Sequence, residues 1–203
     1  MIKEIIKTIL ILCGILLVSF LVLLFAIFSA LDGFDSDNVN YSVTDLKENF
    51  EARKYEIYEV KKYLNKIIPS NKSIQIEFED DSTLGIFHVK VDDEFQNNWN
   101  VQINSVKVDS LLNNLGWTNE NLKILKDKLD SANCIGISSG EPCVISFQRS
   151  GMGIYSFLVF DEPIPDNLKP NYNDSCTFIM VNNKLVLEYG GGVMGNQCFY
   201  NLK

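Results

Sequence analysis

Ile74-Gln75-Ile76-Glu77-Phe78-Glu79, the turn Asp80-Asp81-Ser82, and Ile86-Phe87-His88-Val89-Lys90-Val91 together decide the fold. Apolar and polar side chains alternate with period two on both sides of an acidic turn, which is how two half-buried strands joined as a hairpin read. Ile74, Ile76, Phe78, Phe87, Val89 and Val91 belong to the buried face. Glu77 and His88 belong to the face turned to water.

Outward from this hairpin toward the N-terminus, the period changes. Leu46, Phe50, Ile57, Val60, Leu64, Ile67 and Ile68 recur at helical spacing, Ser42 or Thr44 supplies a start with Asp45 in the first turn, and Pro69 ends the pattern. One long helix with an apolar stripe is predicted to lie on the sheet. In the other direction Trp99, Val101 and Ile103 alternate as a third strand, and a short helical stretch follows through Leu111, Leu112 and Leu115. Thr118 caps a helix with Leu122, Leu125 and Leu129 on one side and Lys123, Lys126 and Lys128 on the other. From Cys134 onward the pattern is strands: 134–138, 143–149, 154–160, 177–181 and 184–189, with Asn182-Asn183 as a hairpin turn. Residues 154–160 are apolar on both faces and so predict an interior strand. Pro163, Pro165 and Pro170 make the following crossing irregular. The expectation is an α+β domain over residues 42–203 in two layers, the long helix packed on a mainly antiparallel sheet that runs as a meander.

Ahead of this domain stands an uncharged run, Thr8 to Leu31, dominated by Ile, Leu, Val and Phe. As a helix it reaches roughly 36 Å, enough for a hydrocarbon core about 30 Å thick. Lys3 and Lys7 precede the run and Asp32, Asp35 and Asp37 follow it, which puts the N-terminus in the cytoplasm. The sequence therefore predicts a cytoplasmic stub (1–7), an N-terminal transmembrane helix serving as signal anchor (8–31), a polar tether (32–41) and an extracytoplasmic domain (42–203). A cleavable signal peptide has an apolar core of about 7–15 residues, shorter than this one, and Phe28 fits poorly three residues before a cut at Ala30. Cys13 follows Leu12 inside the run, against a lipoprotein cysteine.

The formal charge is −8; the stub carries Lys3, Lys7 and Glu4, which leaves about −9 on the exterior part, and Arg53 and Arg149 are the only arginines. Nucleic acid and anionic lipid surfaces are repelled on balance. Outside the run stand Cys134, Cys143, Cys176 and Cys198. A turn at Ser139 to Glu141 sets Cys143 opposite Ile137 or Ser138, too far along the ladder from Cys134 for a bond that needs Cα atoms within about 7 Å. The expected disulfide is Cys176 to Cys198, closing a loop worth about 3 kcal/mol.

Few segments carry chemistry. Gly190-Gly191-Gly192-Val193-Met194-Gly195 spells a dinucleotide fingerprint, but eight residues follow Gly195, too few for the helix that holds a pyrophosphate. Ser138-Ser139-Gly140-Glu141-Pro142 reads as a turn, because an activated serine needs a base within reach and His88 is the only histidine. The acids Glu77, Glu79, Asp80 and Asp81, and those at Asp92, Asp93 and Glu94, fall at opposite ends of the hairpin and read as two solvated turns. Asp35 and Asp37 fail the calcium-loop pattern, with Asn40 at the glycine position and Leu46 at the glutamate position. Cys134 and Cys143 match no zinc spacing. Asn40, Asn71 and Asn173 spell glycosylation acceptors at the frequency chance gives in a chain this rich in asparagine. No metal and no cofactor is expected.

Arg149, between a strand and Gly151, is the most distinctive residue, able to clamp a carboxylate or phosphate or to pair with a nearby acid. With Glu141 and Asp161 it makes the candidate binding set. No segment resembles a family whose activity carries over. The leading expectation is a membrane-anchored binding or interaction module facing a protein partner outside the cytoplasm. The alternatives are an envelope hydrolase in which Arg149 and acids converge in a pocket, and an immunity-type inhibitor of a basic partner.

Overall fold

Ser42 and Asp45 begin the long helix by reciprocal capping: the Asp45 amide donates to the Ser42 hydroxyl at 3.2 Å and the Ser42 amide donates to the Asp45 carboxylate at 2.6 Å. Two donors that a helix start leaves orphaned are thereby satisfied. The computed structural model describes residues 14, 16–20, 22–23, 39–92, 94–190 and 197–202. The chain divides into two units, Met1–Asn38 and Val39–Lys203. In the first, the described residues are helical and exposed. Most of the expected stub, anchor and tether lies outside the described residues, and among the described residues no helix is long and apolar enough to cross a membrane.

The second unit is α+β. Helix α1 (Val43–Ile67) is followed by β1 (Lys72–Phe78), β2 (Thr83–Val91), β3 (Glu94–Gln96), β4 (Trp99–Gln102), α2 (Val106–Leu115) and α3 (Asn119–Ser131). Then come β5 (Gly136–Ser138), β6 (Cys143–Ser150), β7 (Gly153–Val159), a 3-10 turn (Lys169–Tyr172), β8 (Phe178–Asn182) and β9 (Leu185–Gly190). The strands form one sheet in the order β3-β2-β1-β5-β6-β7-β9-β8, with β4 also pairing β2, and every pairing among the described residues is antiparallel.

The expected meander is corrected at its end, because β9 and not β8 lies beside β7. Leu185, Val186 and Leu187 are fully buried, as an interior strand requires, whereas Phe178 to Val181 are half-buried and suit an edge. The proline-rich crossing carries the chain past the interior slot before β8 returns. The outer side of β8 is closed by its own loop: the Phe178 amide donates to Asp174 Oδ1 at 2.8 Å and the Met180 amide to Asn173 Oδ1 at 3.2 Å. Occupied edge donors leave no ladder for an added strand.

All three of these helices cover one face of the sheet. Leu46, Phe50, Ile57, Val60 and Leu64 of α1 share a core with Ile76, Phe87, Ile137, Ile145 and Phe157 of the strands, joined by leucines of α2 and α3. On the second face a smaller cluster, Leu158, Phe160, Ile164 and Val186, sits under the proline-rich crossing. Among the described residues, no helix covers the remainder of that face. Cys176 and Cys198 are disulfide-bonded, as the sequence predicts, and Cys134 and Cys143 are free and buried. Beside the disulfide, Phe199 is fully buried against the rings of Tyr155 (5.7 Å) and Tyr189 (6.0 Å).

Candidate functional site: a trough on the helix-free face

Residues directly opposite one another in a sheet point to the same side, so a register row is also a row on one face. Trp99, Ile86, Glu77, Gly136, Ser146, Ser156 and Glu188 form such a row across β4, β2, β1, β5, β6, β7 and β9. It runs perpendicular to the strands on the helix-free face, spanning six strand spacings, roughly 29 Å along the sheet. Its middle is small. Gly136 has to be glycine, since a Cβ there would fall 2.5 Å from the Ile76 carbonyl oxygen. Along this row the face is concave: a trough of about 720 Å³ is lined by Gln75, Glu77, Trp99, Ser146, Arg149 and Glu188 among others. A second hollow of about 490 Å³ shares Glu77, Ile86, Trp99 and Arg149 with it.

Arg149 reaches this face because of a bulge. Cys143, Ile145 and Phe147 turn toward the helices, and strict alternation would send Arg149 after them. The register of β6 against β7 shifts between Ser146 and Gln148, so Arg149 comes to stand opposite Ile154 and turns to the trough. Bulges re-aim side chains in this way. The Arg149 guanidinium then forks onto Glu77, Nε donating to Oε1 and Nη2 donating to Oε2 at 2.8 Å. The Glu77 side chain is 7 % exposed and that of Arg149 38 %. Arg149 thus pairs with an acid, as one of its two sequence readings had it, and the partner is a glutamate expected in a solvated turn. Sequence alternation placed Glu77 on the polar face correctly; it could not say that the strands beyond β1 would enclose it.

Glu188 closes the row at the other end. Burial pushes its carboxyl pKa up, and among the described residues no cation pairs with it. With Glu77 and Arg149 bound to each other, Glu188 is the one unpaired ionisable group in the lining. Trp99 is 60 % exposed and Met152 49 %, so the trough offers a flat aromatic surface and a flexible apolar one to its contents.

His88 corrects the expectation of a solvated histidine. It is 7 % exposed, its ring meets Trp99 edge-on at 4.5 Å and Phe95 at 6.1 Å, and its Nε2 has no hydrogen-bond partner among the described residues. Both β3 and β4 return to pair β2, and their aromatic side chains cover a residue that alternation alone leaves in water. Burial lowers the His88 pKa.

Glu141 and Asp161 are brought together, but with Lys61 and not with Arg149. The Lys61 ammonium, 5 % exposed, lies 2.9 Å from Asp161 and 3.4 Å from Glu141 and donates to the Val159 carbonyl at 2.7 Å. Arg149 is six residues further along β6 than Cys143, about 20 Å away, and on the other face. The signal for Lys61 was present in the sequence, because it stands four residues after Ile57 and three before Leu64 on the apolar stripe. Glu77 apart, the described acids of the two turns are solvated as expected: Asp80 accepts from the Ser82 amide at 2.6 Å, and Asp81 meets Lys126 at 3.1 Å. Asp93 lies outside the described residues, as do residues 191–196 of the glycine run.

Glu77 and Glu188 are four strand spacings apart, about 19 Å along the sheet, whereas paired carboxylates that cleave glycosidic bonds stand about 5–9.5 Å apart. Ser138 is separated from His88 by two spacings, about 10 Å, through Gln75. That exceeds hydrogen-bond reach for activating a hydroxyl. Among the described residues no group of three or more His, Cys, Asp or Glu could hold a metal. Comparison with protein-family models, with curated proteins and with solved structures finds no match to this chain.

Proposed function

We propose that this chain is a membrane-anchored binding module whose ligand lies in the trough across the helix-free face, outside the cytoplasm. The observation that carries the reading is the trough itself: a concavity on a sheet whose other face is fully covered, edged by an exposed Trp99 and containing an unpaired, partly buried Glu188. Hollows of roughly 300–1,000 Å³ with apolar walls and a few placed polar groups are the usual form of ligand sites. The membrane part rests on the uncharged run from Thr8 to Leu31 and the lysines before it. The hydrolase reading loses support, since Arg149 stands on the opposite face from Glu141 and Asp161.

The test is photocrosslinking in intact cells that express the full chain, with a benzophenone amino acid at Trp99 or, on the exposed surface of α1, at Tyr55. An adduct from Trp99 and none from Tyr55 supports the trough as the ligand site. Equal yields, or none at either position, refute it. Extraction of the chain from membranes by alkaline carbonate would refute the anchor.

A further inference from the structure

We propose that the occupant of the trough is a neutral, hydroxyl-rich oligosaccharide laid across the strands, with one sugar ring stacked on Trp99. This assignment rests on the binding reading above and names its ligand class. Three features carry it. First, the charges inside the trough are already spent: Glu77 and Arg149 neutralise each other, and only Glu188 remains. A polyphosphate would meet that carboxylate and a chain of formal charge −8, and a multiply basic peptide would find one carboxylate for several cations. A sugar hydroxyl donates to Glu188 without bringing a charge.

Second, the lining mixes donors and acceptors that stand on side chains. The sheet's backbone groups are committed to their ladders, so an extended peptide crossing this face would find no main-chain partners, and at the β8 edge two amides are taken by Asn173 and Asp174. Hydroxyls both donate and accept, and they suit Gln75, Ser146 and Glu188 equally. Third, the surfaces match in shape. A pyranose ring presents a flat face of C–H groups and a rim of hydroxyls. The exposed Trp99 supplies the flat apolar partner, and the small row of Gly136, Ser146 and Ser156 leaves room for further rings along a span of roughly 29 Å.

The chain carries two tryptophans, of which Trp117 is 4 % exposed and Trp99 60 %, so a blue shift of emission on titration reports contact at Trp99. The full chain in phosphatidylcholine vesicles is titrated with chitohexaose, cellohexaose, maltohexaose and mannohexaose, and variants are compared by calorimetry. The expected result is saturable binding of at least one sugar at or below millimolar concentration. Trp99→Ala should weaken it about tenfold, the scale of one lost stacking contact. Ser146→Leu, which fills the floor, should abolish it, and Tyr55→Ala should leave it unchanged. Thermal melts identify any variant that fails to fold. Absence of binding by all four sugars, or binding indifferent to both trough variants, overturns the assignment. A Trp99 crosslink that is protease-sensitive and free of carbohydrate overturns the sugar while leaving the trough as a site; loss of the crosslink itself overturns both.

Discussion

Lys61 offers a test in which removing the buried charge should cost less than removing its partners. Its side chain is 5 % exposed, whereas those of Glu141 and Asp161 are 47 % and 64 % exposed. In Glu141→Gln with Asp161→Asn, the ammonium stays buried with amides and the Val159 carbonyl as its only partners. Stranding a fully buried charge costs about 3–5 kcal/mol. The acids stand half in water, which screens them, so a loss of about 2 kcal/mol is expected. In Lys61→Met the acids rehydrate freely, a side chain of similar length fills the space beside Cys143, and only the Val159 carbonyl loses a donor, at about 1 kcal/mol. Urea unfolding of the full chain in micelles, followed by the emission of buried Trp117, measures both. The same chains carry a pH signature. Hydrogen bonding to Lys61 holds the Asp161 pKa below its ordinary value, so this carboxylate adds stability above about pH 4 that fades as the pH falls through its lowered folded-state pKa. Lys61→Met should flatten that acid limb. If Lys61→Met proves more destabilising than the double acid variant, the acids do not compensate the ammonium and the reasoning fails.

Arg149→Met leaves Glu77 buried and unpaired and should cost about 2 kcal/mol, and adding Glu77→Gln should recover part of it; strictly additive values in that double-mutant cycle would show that the fork contributes no coupling. His88, whose pKa burial lowers, stays neutral in the fold while the unfolded chain takes up a proton near pH 6.5, so stability is complete above that pH and declines below it. His88→Gln should remove this decline between about pH 6.5 and 5, and an unchanged urea midpoint profile would contradict the burial argument. Cys198→Ser opens a bond with a sequence separation of 22 and should cost about 3 kcal/mol, lowering the melting temperature by roughly 6–12 °C; equal melting of the reduced and oxidised chains would deny the disulfide a stabilising role.

How much of this was legible in the sequence depends on the range over which each pattern acts. The reciprocal cap at Ser42 and Asp45, the helix after Thr118, the hairpin at Asp80 and the strands from Cys143 onward follow from neighbours within a few residues, and they stand where periodicity put them. The pairing of Cys176 with Cys198 was the preferred reading of the cysteines, and the structure forms it while leaving Cys134 and Cys143 free. The short β3 was not legible, because Glu94-Phe95-Gln96 gives too few residues for a period. The position of β9 inside β8 was not legible either, although the burial of Leu185, Val186 and Leu187 on both faces follows from their composition.

The site itself was hidden for a more particular reason. Period-two alternation sorts side chains into two faces, and the usual inference assigns one face to the core and the other to water. In a sheet this wide the second face is itself concave, so its polar residues meet one another before they meet bulk solvent. Glu77 and His88 stand on the polar face that alternation gives them, Ser156 and Glu188 join them there, and all four are buried or partly so. Arg149 stands on the face that alternation denies it. Its arrival depends on the one extra residue at Phe147, which a sequence shows only as an apolar residue in an already apolar run. The bulge sets the guanidinium over Glu77, and that pairing leaves Glu188 as the only charge in the trough without a partner. Deleting Phe147 should therefore open a hole in the core and yet spare the site: with the extra residue gone, Gln148 still stands opposite Tyr155 and Arg149 opposite Ile154, so the guanidinium keeps its place over Glu77.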